Sequence, residues 1–160
     1  MNLNLNKLEK KISVKFKNIK LLVQSLTHKS YDSINNNEKL EFLGDRVLGL
    51  IISKKLLEIY PDEKEGVLDK KLASLVNKKR CFEVAKSLEL EKFVFVGNTI
   101  KKIIKIENKI VSDCCEALIG AIYLDQGLNI AEKFILKTWK IHIKASAVTF
   151  IDSKTKLQEY

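Results

Sequence analysis

Proline is almost missing from this chain, with Pro61 alone among 160 residues, and glycine occurs only six times. A sequence so poor in helix breakers, and rich in Leu, Ile, Lys and Glu, forms helices joined by short loops. Long apolar runs are lacking as well. Stretches such as Val47 to Ser53 and Ala117 to Leu124 fall far short of the roughly 20 apolar residues a membrane span needs. The N-terminal MNLNLNKLEKKI scatters Lys and Asn where a secretory signal would keep an apolar block, so a cytoplasmic protein with no membrane partner is expected. Three cysteines, Cys81, Cys114 and Cys115, offer no CxxC pair and no His at zinc-finger spacing, which leaves buried free thiols. Two histidines, His28 and His142, are too few for a His-rich zinc site. No P-loop and no Gly-rich dinucleotide fingerprint occurs, so no nucleotide cofactor is expected. No internal repeat or low-complexity linker divides the chain, which excludes solenoids and strings of domains.

What is present is a large apolar fraction, 46%, enough for a sizeable core, and a formal charge of +9 from 29 Lys+Arg against 20 Asp+Glu. Only Arg46 and Arg80 are arginines, so the positive field is diffuse and built from lysine ammonium groups rather than guanidinium forks. Such a field favours a polyanion, and charge alone does not separate nucleic acid from an anionic membrane. Leu8, Ile12 and Phe16 open an amphipathic segment that continues at helical spacing through Ile19, Leu22, Val23 and Leu26 and breaks at the polar run Asp32 to Asn37. A long helix is expected from about Glu38 to Tyr60, stopped by Pro61, and another from Glu65 or Leu68 through Val76. A short helix follows over Cys81 to Leu88, then a loop over Phe93 to Lys105. Ile110 to Leu124, apolar on all sides, reads as a central helix ended by Gly127, with a last helix over Ile130 to Ala147.

Acids at helical spacing carry the chemistry. Glu38, Glu41 and Asp45 stand at i, i+3 and i+7 and fall within roughly 60° of one another around the helix. Three carboxylates so close repel one another unless water or a cation screens them. A solvated acidic stripe in the first turns, suited to the helix dipole, accounts for them as well as a metal site does. Asp113 and Glu116 are harder to dismiss, because they sit at i, i+3 inside the most apolar segment of the chain. Buried acids there are penalised unless paired or bound to metal. Should the two helices cross, the acids would form an all-oxygen nest of the kind that Mg²⁺ or Mn²⁺ prefers, with positions left for water and phosphate. Phosphodiester hydrolysis with water as the nucleophile is the matching reaction. Neither Glu41 nor Glu116 has a His three residues later, which sets aside carboxylate-bridged di-iron bundles.

At these residues the chain resembles the ribonuclease III family. NNEKLEFLGDRVL, Asn36 to Leu48, is similar to the signature of that family's endonuclease domain. SLTHKSY from Ser25, EGVLDKKLASLVN from Glu65 and SDCCEALIGAIYLDQG from Ser112 match its other blocks in order and spacing, so nearly all of residues 5 to 150 is covered. The resemblance implies an all-α, homodimeric endonuclease domain over 1–150 that cleaves double-stranded RNA and leaves staggered ends, in ribosomal and messenger RNA processing. It implies Mg²⁺, for which Mn²⁺ substitutes, held by Glu41, Asp45, Asp113 and Glu116, with Asp45 and Glu116 the catalytic pair. Glu38 and Glu65 match acids near the scissile RNA, although Glu65 also reads as an ordinary acidic first turn. Phe42 would sit at the dimer interface, with a core position as its plain alternative. Gly44 would let another helix or a ligand approach closely. Departures are Lys39 for a common Arg, Arg46 for a small residue, and VGNTIKKI, Val96 to Ile103, for a Gly-rich acidic loop. None removes an acid. DSKTKLQEY, Asp152 to Tyr160, resembles the opening of a double-stranded-RNA-binding domain, so 151–160 is expected to be a linker and the start of that domain. The competing expectation is a non-cleaving dimeric RNA-binding or scaffold module of nuclease-like fold, and the intact acid set speaks against it.

Overall fold

The structure, a computed structural model, describes residues 4–98 and 107–147, and the expected linker and domain opening at 151–160 lie outside them. The chain folds through α1 (Leu5–Ile12), α2 (Ile19–Ser25), α3 (Glu38–Ile59), α4 (Glu65–Val76), α5 (Lys78–Ser87), a 3₁₀ turn (Leu90–Lys92), α6 (Asn108–Gln126) and α7 (Leu128–Thr138). Residues 140–147 are helical as well. Among the described residues no strand forms, and the one β-type pairing is an isolated parallel bridge between Thr27 and Phe95.

The central helix is α6. Every residue from Ile110 to Ile122 is buried, the apolar majority as its spacing on all faces requires and Asp113 and Glu116 with it, and α2, α3, α5 and α7 all pack against this helix. Its end is set by Gly127, whose φ of 87° is a conformation that L side chains resist. The closest partner of α6 is α3, and glycines govern that crossing. A Cβ added at Gly44 would stand 1.7 Å from the backbone oxygen of Glu116, and one at Gly120 would stand 2.3 Å from the backbone oxygen of Leu40. The two backbones therefore touch where side chains would hold other helices 8–10 Å apart between axes, as a typical magnitude. Pro61 ends α3 as expected, and Tyr60 N–H closes the last turn on Leu56 at 2.8 Å.

Two expected helices are interrupted. The segment from Leu8 to Leu26 divides at 13–18, because Glu9 turns inward. Its carboxylate accepts the Phe16 N–H at 2.9 Å and pairs with Lys15 at 3.0 Å, while Ser13 takes a left-handed conformation at φ 58°. Asp125, at the far end of α6, accepts the N–H groups of Lys17 and Asn18 at 2.8 Å each. Phe16 and Leu22 remain buried, so the apolar spacing describes the core correctly and the backbone less so. The last helix breaks at Trp139, which is fully buried and donates its indole N–H to Leu75 at 2.8 Å. The Asn-rich run is a loop, as expected, and it anchors α3. Asn37 donates its backbone N–H to Thr27 at 2.9 Å and its side-chain amide to Ser25 at 3.3 Å, and Asn36 accepts the Glu38 N–H at 3.1 Å. The three cysteines are buried free thiols, and burial pushes Cys81 and Cys114 up to about 12, so they are inert packing residues.

The Gly44 contact yields a prediction with an internal comparison. Gly44→Ala must force two backbones apart and should cost about 3 kcal/mol or more in urea unfolding. Gly66→Ala, in the first turn of α4 with open space around it, should be neutral or gain up to about 1 kcal/mol. Equal effects at both positions would contradict the close crossing.

Candidate functional site

The α3–α6 crossing places the acids of α3 beside those of α6. Carboxylate oxygens of Glu41, Asp113 and Glu116 come within 4.8 Å of one another, a group that could hold a metal ion. Asp45, one turn beyond Glu41, stands outside this tight group. It lines the same open cleft, with Glu38, Glu41, Phe42, Arg46, Lys78 and Glu116, and its carboxylate meets the Arg46 guanidinium at 3.0 Å.

The members differ in burial, and burial sets their chemistry. The Glu116 side chain is only 3% exposed. Loss of water pushes its carboxyl up to about 7, and the charges of Asp45 and Glu41 push the same way, against the opposing pull of Lys78. Burial also works against Asp113, but hydrogen bonds from Lys109 at 2.7 Å and Lys78 at 2.8 Å outweigh it and hold that carboxyl below the ordinary range. Two acids three residues apart are thus driven in opposite directions by their neighbours.

Lys78 is the residue that sequence reasoning missed. Its ammonium reaches Glu41 at 3.1 Å and Asp113 at 2.8 Å, and it also bonds Glu116, so one cation bridges all three acids. Burial opposes its charge, yet the three carboxylates raise its pKa well above that of a free lysine. Its backbone is held in place, since the Ser112 hydroxyl donates to the Lys78 carbonyl at 3.1 Å and Asn77 caps α5 by accepting the Arg80 N–H at 2.9 Å. Nothing in the sequence distinguishes Lys78 from the other lysines, because its partners lie on helices distant in the chain.

The remaining candidates are arranged unevenly. Glu38 sits at the mouth of the cleft, exposed, with Lys29 at 3.4 Å. Glu65 is exposed in the first turn of α4 and is not among the residues lining the cleft. Phe42 is 63% exposed, which sets aside a core position in the single chain, and the Arg46 guanidinium lies 4.1 Å over its ring. Leu50 and Leu57 continue the same exposed face of α3 at 57% and 58%. His28 hydrogen-bonds Ser30 at 2.7 Å, as a structural residue would. His142 is half-buried, with Glu83 at 3.7 Å.

Known proteins share this arrangement of chain. A model of the family described as Ribonuclease-III-like matches residues 18–141. Ribonuclease 3 of Pelagibacter ubique is 69% identical over the whole chain, which spans 72% of that relative, and Ribonuclease 3 of Rhodopseudomonas palustris is 39% identical over 96% of the chain, which spans 58% of it. Among solved structures, the nuclease domain of ribonuclease III from Campylobacter jejuni, described for flexibility in a region involved in dimer formation, superposes with a TM-score of 0.83 at 39% identity, covering 86% of this chain and 96% of that one. Dicer from Pichia stipitis superposes with a TM-score of 0.64 at 25% identity over 84% of this chain and 60% of that one.

The electrostatics of Glu116 can be measured without any substrate. Its folded pKa of about 7 exceeds the ordinary value of 4.5, so the metal-free fold loses stability as pH rises from about 4.5 to 7 and stays at that lower level above. Glu116→Gln cannot ionise. With chelator present, its stability relative to the wild type should be higher at pH 8 than at pH 5 by roughly 1–3 kcal/mol in urea unfolding. The same difference at both pH values would mean that Glu116 titrates normally.

Proposed function

The chain belongs to the ribonuclease III family, and from that premise we propose that it is an endoribonuclease that hydrolyses double-stranded RNA at the cleft between α3 and α6, as a homodimer acting with Mg²⁺. The observation that carries this reading is the convergence of Glu41, Asp113 and Glu116, the last two buried, with carboxylate oxygens within 4.8 Å of one another. That donor set fits a hard divalent cation: all oxygen, one carboxylate kept partly protonated by burial, and a cleft open to solvent on one side. Mg²⁺ is the natural occupant and Mn²⁺ a substitute. When bound, such a cation polarises a phosphoryl oxygen and acidifies water.

The chain's own residues do the rest. Glu41, Asp113 and Glu116 would hold the cation, and the buried Glu116 would gain most, because a doubly charged ion offsets its burial more fully than the Lys78 ammonium does. Asp45, half-exposed at the edge of the group and paired with Arg46 at 3.0 Å, would act on the attacking water and the leaving oxygen. We assign Asp45 and Glu116 as the catalytic pair. Glu38, at the cleft mouth, contacts substrate. Glu65 would meet RNA only in a groove that two copies share. Recognition follows the duplex shape and its 2′-hydroxyls more than its sequence, since A-form RNA offers a wide, shallow minor groove. Lysines outnumber arginines here, which suits phosphate contacts that hold without reading bases.

Dimerisation is supported by the exposed Phe42, Leu50 and Leu57 on one face of α3, apolar side chains that a second copy would cover. Phe42 is the aromatic anchor of that interface. Residues 1–150 then form the nuclease domain, and 151–160 a linker into a double-stranded-RNA-binding domain. Such an enzyme works in the cytoplasm on ribosomal and messenger RNA precursors.

The test is cleavage of a long RNA duplex with Mg²⁺, beside a chelator control and the Glu116→Gln and Asp45→Asn variants. Mg²⁺-dependent cutting into short duplexes with staggered ends is expected, and each variant should lower the rate by about 100-fold or more. Binding of an intact duplex without any cleavage by the wild type would favour the non-cleaving module instead.

A further inference from the structure

We propose that Lys78 is a built-in cation of the acidic cluster, holding Glu41, Asp113 and Glu116 together in the metal-free protein and leaving when a divalent ion enters. This rests on the reading of the cluster as a metal site and goes beyond it, because it makes metal binding an exchange of one cation for another. Three observations carry it. The ammonium bonds all three acids at once, so it occupies the middle of the donor set rather than its edge. The residue is the first of α5, where a positive charge opposes the helix dipole, and Lys79 and Arg80 follow it with no acid in that turn. Glu83 in the next turn pairs with Arg80 at 2.7 Å, whereas the charge of Lys78 is met by the acids across the cleft. Finally, the Lys78 side chain is 52% exposed, so its stem can carry the ammonium out to the cleft mouth without repacking the core.

Lys109 provides the contrast. It bonds Asp113 alone, at 2.7 Å on Oδ2 where Lys78 takes Oδ1, and its side chain is 74% exposed. It adds charge near the site without filling it. A metal ion can therefore bind beside Lys109 but not beside Lys78 in its present position, and the fraction of molecules in which Lys78 has moved away sets the apparent affinity.

Mn²⁺ binding followed by electron paramagnetic resonance, with no RNA present, tests the exchange directly. Lys78→Met keeps the apolar stem and removes the ammonium, and it should bind Mn²⁺ about tenfold or more tightly than the wild type. Lys109→Met should gain no more than about threefold. Equal gains in the two variants would reduce Lys78 to a nearby charge and overturn the proposal. A second readout uses the unaltered chain, so it does not depend on a variant folding. Acylation of Lys78 by an N-hydroxysuccinimide ester, read by mass spectrometry, should rise severalfold on adding Mg²⁺ relative to the other lysines. Unchanged labelling with Mn²⁺ bound would overturn the exchange while leaving the metal-dependent nuclease standing. No Mn²⁺ binding in any of the three proteins would overturn both.

Discussion

Two glycines facing each other across α3 and α6 are the contact on which the molecule depends. Gly44 and Gly120 let the backbones of the longest described helix and the most buried one meet, and the acids that precede them, Glu41 on α3 and Asp113 and Glu116 on α6, are brought together. Core and site are therefore one piece of packing. The apolar faces of Leu40, Val47, Leu48, Leu118 and Ile122 gain burial from the same approach that crowds Glu41 against Asp113 and Glu116. Widening the crossing by one methyl group would relieve the crowding and separate the donors, so little freedom exists to tune stability apart from function.

Crowded carboxylates need a countercharge, and the fold supplies it from elements that a simple core would not require. Lys109 comes from α6 itself, one turn before Asp113, and Lys78 comes from the start of α5. Ser112 ties the Lys78 backbone to α6, so the cation and the acids share a rigid frame. The result is a group in which Asp113 is held ionised while Glu116 is left near neutrality. A site prepared this way gains most from a doubly charged ion, which can satisfy Glu116 where a single lysine does not. The net positive charge of the whole chain complements this locally negative cleft, since RNA must approach acids without being repelled from the protein.

Features legible in the sequence were those set by local pattern. The span of α3 followed from its apolar spacing and Pro61, and α6 followed from apolar residues on every face with Gly127 at its end. The two acidic groups could be picked out from spacing and burial, and Gly44 as a point of close approach, but their meeting required knowing that α3 and α6 cross. The break between α1 and α2 was hidden because it depends on Glu9 accepting a backbone N–H seven residues ahead, which apolar periodicity does not encode. The break at Trp139 likewise depends on Leu75 in another helix. Lys78 was hidden among many lysines, and only tertiary structure gives it three acidic partners. Asp45 stands apart from the tight group that its spacing with Glu41 suggests, drawn to Arg46 at the cleft edge.

The central claim is that the glycine crossing builds one divalent-metal site from helices α3 and α6. Anomalous diffraction from crystals of the full chain grown with Mn²⁺ tests it most directly. The account predicts a manganese peak among the carboxylates of Glu41, Asp113 and Glu116, with the Lys78 ammonium displaced toward the cleft mouth. A structure with Mn²⁺ bound only elsewhere, and Lys78 still bridging the three acids, would contradict it.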